Sequence, residues 1–459
     1  MPRFTNALLS PELRWTTIGS IALIFLGAFE SLAVTTIMPT ISTELDGEQL
    51  YSLAFSATLA ASIVGTVVSG GWADRRGPSR PLIVAMVVFV IGLILSGTAT
   101  SMGVFVVGRF LQGLGSGGII VALYVVVGRL YPAALHPKIF GAFAAAWVLP
   151  SMIGPPVAGF VADTISWHWV FLGVGVLVAF AAVFIAPALR QLRSMTTELH
   201  PDARIGTTPV WASIVAVAVV AVGLGGELFA RTEVNEHVAR WAVALVALAV
   251  IVVAARPLLP RGTLLVRRGL PATVLLRGAA AAAFFGTEVY LPYLLHERYG
   301  LPSWASGLIL TVGAVSWALG SAVQSRLGER MSHDQTLRLG AGVLVLGIVT
   351  QFVTAALMLS PLVAAGGWFF AGAGMGLLYP RISTLVLSFS NERNQGFNSA
   401  AMSISDNVGG ATSIAFAGLL FTAFGGVVGG NGFVAALALT SALAVLVVPV
   451  AMRVRAPRE

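Results

Sequence analysis

Four charged side chains stand inside long apolar stretches of the chain: Glu30 in FESLAVTTIMP, Arg109 in GRFLQGLG, Glu288 in FFGTEVYLPYLL and Asp406 in SISDNVGG. An ionisable group in hydrocarbon is costly unless it is paired or faces water, so each marks a place where charge is bound or moved. Burial favours the protonated form of a carboxylate, and a neighbouring cation favours the ionised form. A carboxylate reached in turn from the two sides of a membrane can therefore load and release a proton. Glu30 is the leading candidate for that role. By helix counting Glu30 and Arg109 both lie in the outer half of the membrane, and they are expected to pair in one packing of the helices and separate in another. Glu288, at a similar depth and near Tyr290 and Tyr293, is expected to hold substrate or a second proton. Asp406, with Asn407 as a hydrogen-bond partner, completes the proton-coupling set. Among the aromatic residues, Phe284, Tyr290 and Tyr379 are expected to line an apolar substrate cavity, with Trp147 and Phe285 as further candidates. Glu227, Asp163, Arg277 and Arg381 fall near the ends of apolar segments, where the arginines are expected to reach out to the lipid headgroups.

The segments that must position these residues follow from composition. Of the 459 residues 57% are apolar and 10% charged, with a mean hydropathy of +0.89. A soluble domain has about a quarter of its residues charged, so a water-soluble protein is excluded. A helix needs about 20 apolar residues to cross a bilayer. Measured that way, the chain carries fourteen spans, at 15–38, 49–72, 81–99, 103–126, 139–162, 168–188, 210–229, 238–255, 272–295, 304–326, 337–358, 362–386, 397–423 and 431–452. The first is too long and too polar at its centre for a cleaved signal peptide, and is expected to be retained. The loops are short and leave no room for a soluble catalytic domain, so the chain is not expected to be an enzyme. Cysteine is absent, which excludes disulfides and thiolate chemistry. The six histidines are scattered without metal-ligand spacing. No metal and no cofactor are expected.

The net charge of +8 would suit nucleic acid if it were clustered on a soluble surface. It is instead sorted along the chain. With the N-terminus cytoplasmic, the inner loops and tails hold 21 of the 27 basic residues and the outer loops three, Arg231, Arg240 and Arg298. The inner set includes Arg75, Arg76, Arg80, Arg190, Arg193, Arg204, Arg256, Arg261, Arg267 and Arg268. Positive charge is retained on the cytoplasmic side, so both termini are expected there and no nucleic-acid partner is expected. The preference for Arg over Lys, 26 to 1, suggests a GC-rich bacterial genome.

The spans repeat. Span 5 contains Gly141-AFAAAWVLPSMI-Gly154 and span 13 contains Gly396-FNSAAMSISDNV-Gly409; span 4 contains Gly113-L-Gly115-S-Gly117 and span 12 contains Gly372-A-Gly374-M-Gly376. Spans 1–6 thus recur as spans 9–14, with 7 and 8 inserted. Symmetry of this kind belongs to transporters whose halves rock about a central site. The expected organisation is a six-helix bundle over 1–188, two inserted helices and linkers over 189–271, and a second six-helix bundle over 272–459. No constricted pore of repeated polar groups of the kind a channel needs is found.

The loop between spans 2 and 3 reads Gly70-G-W-A-Asp74-Arg75-R-Gly77-P-S-Arg80. Gly77 suits a turn between antiparallel helices, and Asp74 beside arginines can form a charge-assisted latch. The spacing resembles the signature of the major facilitator superfamily, with Ser79 where a second basic residue is usual. Span 4 carries Arg109-F-L-Gln112-Gly113-L-Gly115, similar to the family's R-x-x-Q-G-x-G motif. Span 5 carries Gly141, Pro150, Gly154, Pro155, Ala158 and Gly159 in a spacing that resembles the antiporter motif of drug:proton exporters. Its Gly154-Pro155-Pro156 removes backbone donors and kinks the helix, while Gly141, Gly154 and Gly159 permit close approach of a partner helix. Glu30, nine residues before Pro39, and the segment Ser166-W-H-W-V-F resemble features of the fourteen-span drug:proton antiporter group. The corresponding loop of the second half, Gly320-SAVQSRLGE, lacks the acidic residue.

The resemblance implies an all-α integral membrane protein with the major facilitator fold, two six-helix bundles plus two inserted helices. It implies a proton-coupled secondary transporter of the bacterial cytoplasmic membrane, exporting amphiphilic or drug-like small molecules by alternating access. Its partners would be the small-molecule substrate, protons and the lipid bilayer, and it would act as a monomer. An exporter or conduit for an endogenous lipid or metabolite of the cell envelope is the alternative, and a proton symporter for uptake a further one. The residues implied in conformational switching are Gly70, Asp74, Arg75, Gly77, Arg80, Gly141, Gly154, Pro155 and Gly159.

Overall fold

A computed structural model describes residues 8–132, 135–194, 207–228, 236–327, 331–390, 394–427 and 431–454. Among the described residues there are fourteen α-helices: α1 (Arg14–Glu44), α2 (Tyr51–Arg76), α3 (Ser79–Gly97), α4 (Met102–Leu130), α5 (His136–Thr164), α6 (His168–Ser194), α7 (Thr208–Leu228), α8 (Glu236–Ala255), α9 (Leu270–Tyr299), α10 (Ser303–Leu327), α11 (His333–Leu357), α12 (Pro361–Ser388), α13 (Gln395–Ala423) and α14 (Gly432–Ala451). Each expected span corresponds to one of them. A backbone crossing hydrocarbon must satisfy its own polar groups, which a helix does internally. Twelve of the helices are long and apolar enough to cross a membrane on those grounds alone. α13 is not among them, because Asn398, Ser403, Ser405, Asp406 and Asn407 interrupt its apolar run. α7 has a shorter apolar stretch, Thr208–Leu224.

The short connections use the expected chemistry. Gly77 ends α2 at φ +78°, and Gly300 ends α9 at φ +62°, conformations that cost glycine little. Ser332 and Gln335 form a reciprocal capping box at the start of α11, satisfying two otherwise orphaned backbone donors. Outward faces remain apolar: Val84, Val87, Ile91 and Ile94 of α3 are exposed, three and four residues apart, as a lipid-facing stripe requires.

The packing has a two-fold character. In the first half α2 and α3 lie on α4, α1 lies on α5 and α6, and α3 lies on α6. In the second, α10 and α11 lie on α12, α9 lies on α13 and α14, and α11 lies on α14. Every pair recurs eight helices later. The halves meet through α5 against α10 and α2 against α13, again a symmetric pair of contacts. α7 packs along α2 and α13, and α8 packs on α7, so the inserted helices cover one of the two seams.

The glycine repeats are built into this pattern. A Cβ at Gly113 or Gly117 would collide with the α2 backbone at Thr58 and Ser62, and one at Gly115 would meet Phe89 of α3 at 2.6 Å. In the second half Gly372 and Gly376 press on α10 at Gly313 and Trp317, and a Cβ on Gly374 would lie 2.5 Å from the Leu344 nitrogen of α11. α4 and α12 each wedge between two neighbours, with the glycines alternating between them.

Candidate proton-coupling and substrate site

Glu30 of α1 and Arg109 of α4 form an ion pair in the interior of the first bundle. They are 3% and 2% exposed, so the pair is sealed from lipid and solvent alike. Arg109 Nη1 also donates to Gln112 Oε1 at 2.6 Å. Gln112 Nε2 in turn donates to the Gly92 carbonyl at 3.0 Å and to Ser96 Oγ at 2.8 Å. The one-turn spacing of Arg109 and Gln112 puts both on one face of α4, and α3 fixes the amide so that its oxygen meets the guanidinium. Thr58 of α2 donates to the Arg109 carbonyl at 3.1 Å. Arg109 is thus held by side chains, and its Nε has no acceptor among the described residues. The function of Gln112 and the contribution of Ser96 were not evident from the sequence, although Gln112 stands in the motif.

The second bundle contains another charge cluster. Asp406 of α13 accepts hydrogen bonds through Oδ2 from Arg277 Nε and Nη2 at 3.1 and 3.0 Å. Its Oδ1 accepts from the Tyr379 hydroxyl at 2.7 Å, and the Arg277 guanidinium lies 3.4 Å from the Tyr379 ring centroid. Asp406 therefore pairs with Arg277 and Tyr379 rather than with the expected Asn407. Arg277 does not reach for the headgroups; it turns inward because a carboxylate there offsets its charge. Arg381 likewise stays buried at 7% exposure. Its Nη1 contacts His333 Nδ1 at 3.2 Å, and Gln324, with its amide oxygen turned inward, accepts from Nε and Nη2 at 3.1 and 3.2 Å. Gln324 follows Gly320 at the spacing by which Asp74 follows Gly70, so an amide occupies the place of the missing acid. Glu288 is half-buried and has no hydrogen-bond partner among the described residues.

The expected cavity aromatics divide. Tyr379 belongs to the Asp406 cluster and meets Trp317 edge-on at 4.9 Å. Phe284 is 3% exposed and stacks on Trp368 at 4.5 Å, which makes it core packing of the second bundle in this conformation. Tyr290 is 1% exposed and lies in an inter-bundle seal with Tyr51 and Phe421. Burial against other rings thus removes both from any open wall. Phe285 is half-buried and Trp147 exposed.

That seal closes the face remote from the start of α1 and the end of α14, the far face. Tyr51 donates to the Val289 carbonyl at 2.9 Å and stacks on Tyr293 at 4.2 Å. Thr40 and Ser303 share a hydrogen bond at 3.0 Å, and Thr311 donates to the Met152 carbonyl at 3.1 Å. Asp163 accepts from the Trp304 amide at 3.1 Å, fastening α5 to the first turn of α10. Gly159 is pressed on Ser303 and Trp304. Pro155 is pressed on Gly307, where an added Cβ would lie 2.8 Å from the proline's carbonyl. Gly141, by contrast, faces open space, and Gly154 makes only ordinary contact with Phe29. The expectation of close approach therefore holds in this conformation for Gly159 alone of the three.

At the opposite face a Cβ added to Gly70 would lie 3.4 Å from the Val121 side chain, and Asp74 and Arg80 are exposed. Among the described residues Asp74 forms no ion pair. Arg75 is half-buried. Arg204 and Arg231 lie outside the described residues, as do the side chains of Arg193, Glu227 and Arg240.

A helical assembly of paired halves with buried charge pairs narrows the family, and sequence comparison decides it. The model for the Major Facilitator Superfamily matches residues 20–413. The chain belongs to this superfamily. It is similar to the multidrug transporter protein MdtP of Bacillus subtilis (strain 168), with 28% identity over 419 residues that cover 89% of this chain and 75% of the relative. It is also similar to the multidrug efflux pump SdrM of Staphylococcus aureus (strain N315), with 23% identity over 91% of both chains. Among solved structures, a POT family transporter in complex with a thioalcohol-conjugated peptide superposes with a TM-score of 0.68 over 95% of both chains at 14% identity. At that identity the likeness concerns the fold. This superfamily member is a multi-pass membrane transporter, not an enzyme.

Proposed function

We propose that the protein is a proton-coupled exporter of amphiphilic or drug-like small molecules in the bacterial plasma membrane, working by alternating access with both termini cytoplasmic. The observation that carries this is the Glu30–Arg109 pair, buried in the first bundle and braced by Gln112. Proton entry at Glu30 removes the charge that holds Arg109, so the ion pair has a made and an unmade state to which helix packing can respond. The name of MdtP, a multidrug transporter, supports drugs as substrates, and that of SdrM, a multidrug efflux pump, supports their export. The basic loops support a cytoplasmic terminal face, which makes the sealed far face the outer one. In the cycle, residues 1–188 rock against 272–459 while 189–271 follow. Asp74, exposed here, is free to pair with a neighbouring helix when the terminal face closes in the outward-open state. Asp406 and Glu288 supply further protonatable or substrate groups in the second bundle.

The test is transport by the purified full chain in liposomes, with a lipophilic dye as probe. An imposed pH gradient is expected to drive dye movement that collapses when a protonophore dissipates it. Flux indifferent to the gradient contradicts proton coupling.

A further inference from the structure

The two buried guanidinium–carboxylate pairs differ in access. The side chains of Arg109 and Glu30 are 3% and 4% exposed, whereas those of Arg277 and Asp406 are 15% and 19% exposed. The second pair is also incompletely made. Arg277 directs both Nε and Nη2 to a single oxygen of Asp406, while the other oxygen is held by Tyr379. A guanidinium can offer two parallel donors to two oxygens of one planar group, and here that pairing is unfilled. Its Nη1 has no hydrogen-bond partner among the described residues. The Tyr379 ring, 3.4 Å from the guanidinium, fixes the plane in which the remaining donors point. Trp317 continues the wall, 4.9 Å from Tyr379.

We propose that Arg277 receives the anionic group of an aromatic or amphiphilic substrate, a carboxylate or its sulfonate or phosphate counterpart, in competition with the carboxylate of Asp406. The cation is pre-oriented by Tyr379, the aromatic wall accepts the apolar body, and Asp406 neutralises the site while it is vacant. Asp406 has a second anchor in Tyr379, so it can release Arg277 without losing every hydrogen bond. Paired this way the arginine sets selectivity for charge, a task distinct from proton transfer at Glu30. The inference rests on the reading that the chain carries amphiphiles, but binding requires neither a gradient nor turnover. A failure of proton coupling would therefore leave it standing, and its own failure would leave coupling untouched.

The experiment is equilibrium dialysis of the full chain in nanodiscs against 2-naphthoate and its neutral analogue 2-naphthamide. The wild type is expected to bind the carboxylate about tenfold or more tightly than the amide. Arg277→Gln should erase that preference and leave naphthamide binding intact, which also shows that the variant is folded. Asp406→Asn should strengthen naphthoate binding several-fold, because the internal competitor is gone. A purely structural ion pair predicts the same direction for both substitutions. Equal binding of the two probes by the wild type, a preference that survives Arg277→Gln, or weaker naphthoate binding by Asp406→Asn overturns the proposal. Arg277→Lys, which keeps the charge but loses the planar fork, should fall between wild type and Arg277→Gln.

Discussion

The Glu30–Arg109 pair shows what a buried charge demands of its surroundings. Removing one partner leaves the other uncompensated, a loss of about 3–5 kcal/mol for buried pairs, whereas replacing both with apolar or neutral groups is often neutral. Arg109→Met is therefore expected to lower the thermal unfolding temperature of the protein in nanodiscs markedly, and Glu30→Gln combined with Arg109→Met to restore most of it. A double variant as unstable as the single one would mean that the pair is not the interaction being lost. Glu30 and Arg109 were legible as a pair because Glu30 sits mid-span, where hydrocarbon leaves few alternatives, and Arg109 falls at a matching depth of another span. Arg277 was not, since its position near a span end fits a headgroup contact equally well. Only the crossing of α9 and α13 brings Asp406 within reach. Gln112 was hidden for a related reason: its importance lies in Gly92 and Ser96 of α3, which no local spacing reveals.

At the level of helices, α4 and α12 act as central wedges whose glycines admit two neighbours each. Larger side chains there must push whole helices apart. Gly113→Val and Gly372→Val are expected to cost more than the usual 1–3 kcal/mol of overpacking, because the obstacle is backbone at Thr58 and Gly313. Gly141→Val, facing open space, should leave the fold intact. Unfolding temperatures and the yield of monodisperse protein check this, and equal tolerance at all three sites would contradict the packing. The glycine spacing was readable in the sequence as a repeat, and the pairing of helices eight apart explains why it repeats. The separate fates of Gly141 and Gly159 were not readable. They depend on where α5 meets α10, and that contact lies toward one end of the helix.

For the whole molecule, fourteen spans and an internal repeat were legible because a bilayer demands about 20 apolar residues of each crossing and the two halves share one packing plan. The closed far face was not, since a sequence encodes all conformations of a transporter at once. The seal offers a direct handle, as the chain has no native cysteine. Thr40 and Ser303, whose hydroxyls are 3.0 Å apart, should form a disulfide when both are replaced by cysteine. Oxidation is expected to stop transport and a reducing agent to restore it; full activity of the cross-linked protein would mean that this face need not open. The central claim, that Glu30 couples proton movement to export, is tested most directly by Glu30→Gln in liposomes. Gradient-driven dye accumulation is expected to be lost while dye exchange without a gradient continues. Accumulation by Glu30→Gln at the wild-type level under the same pH gradient would contradict the claim.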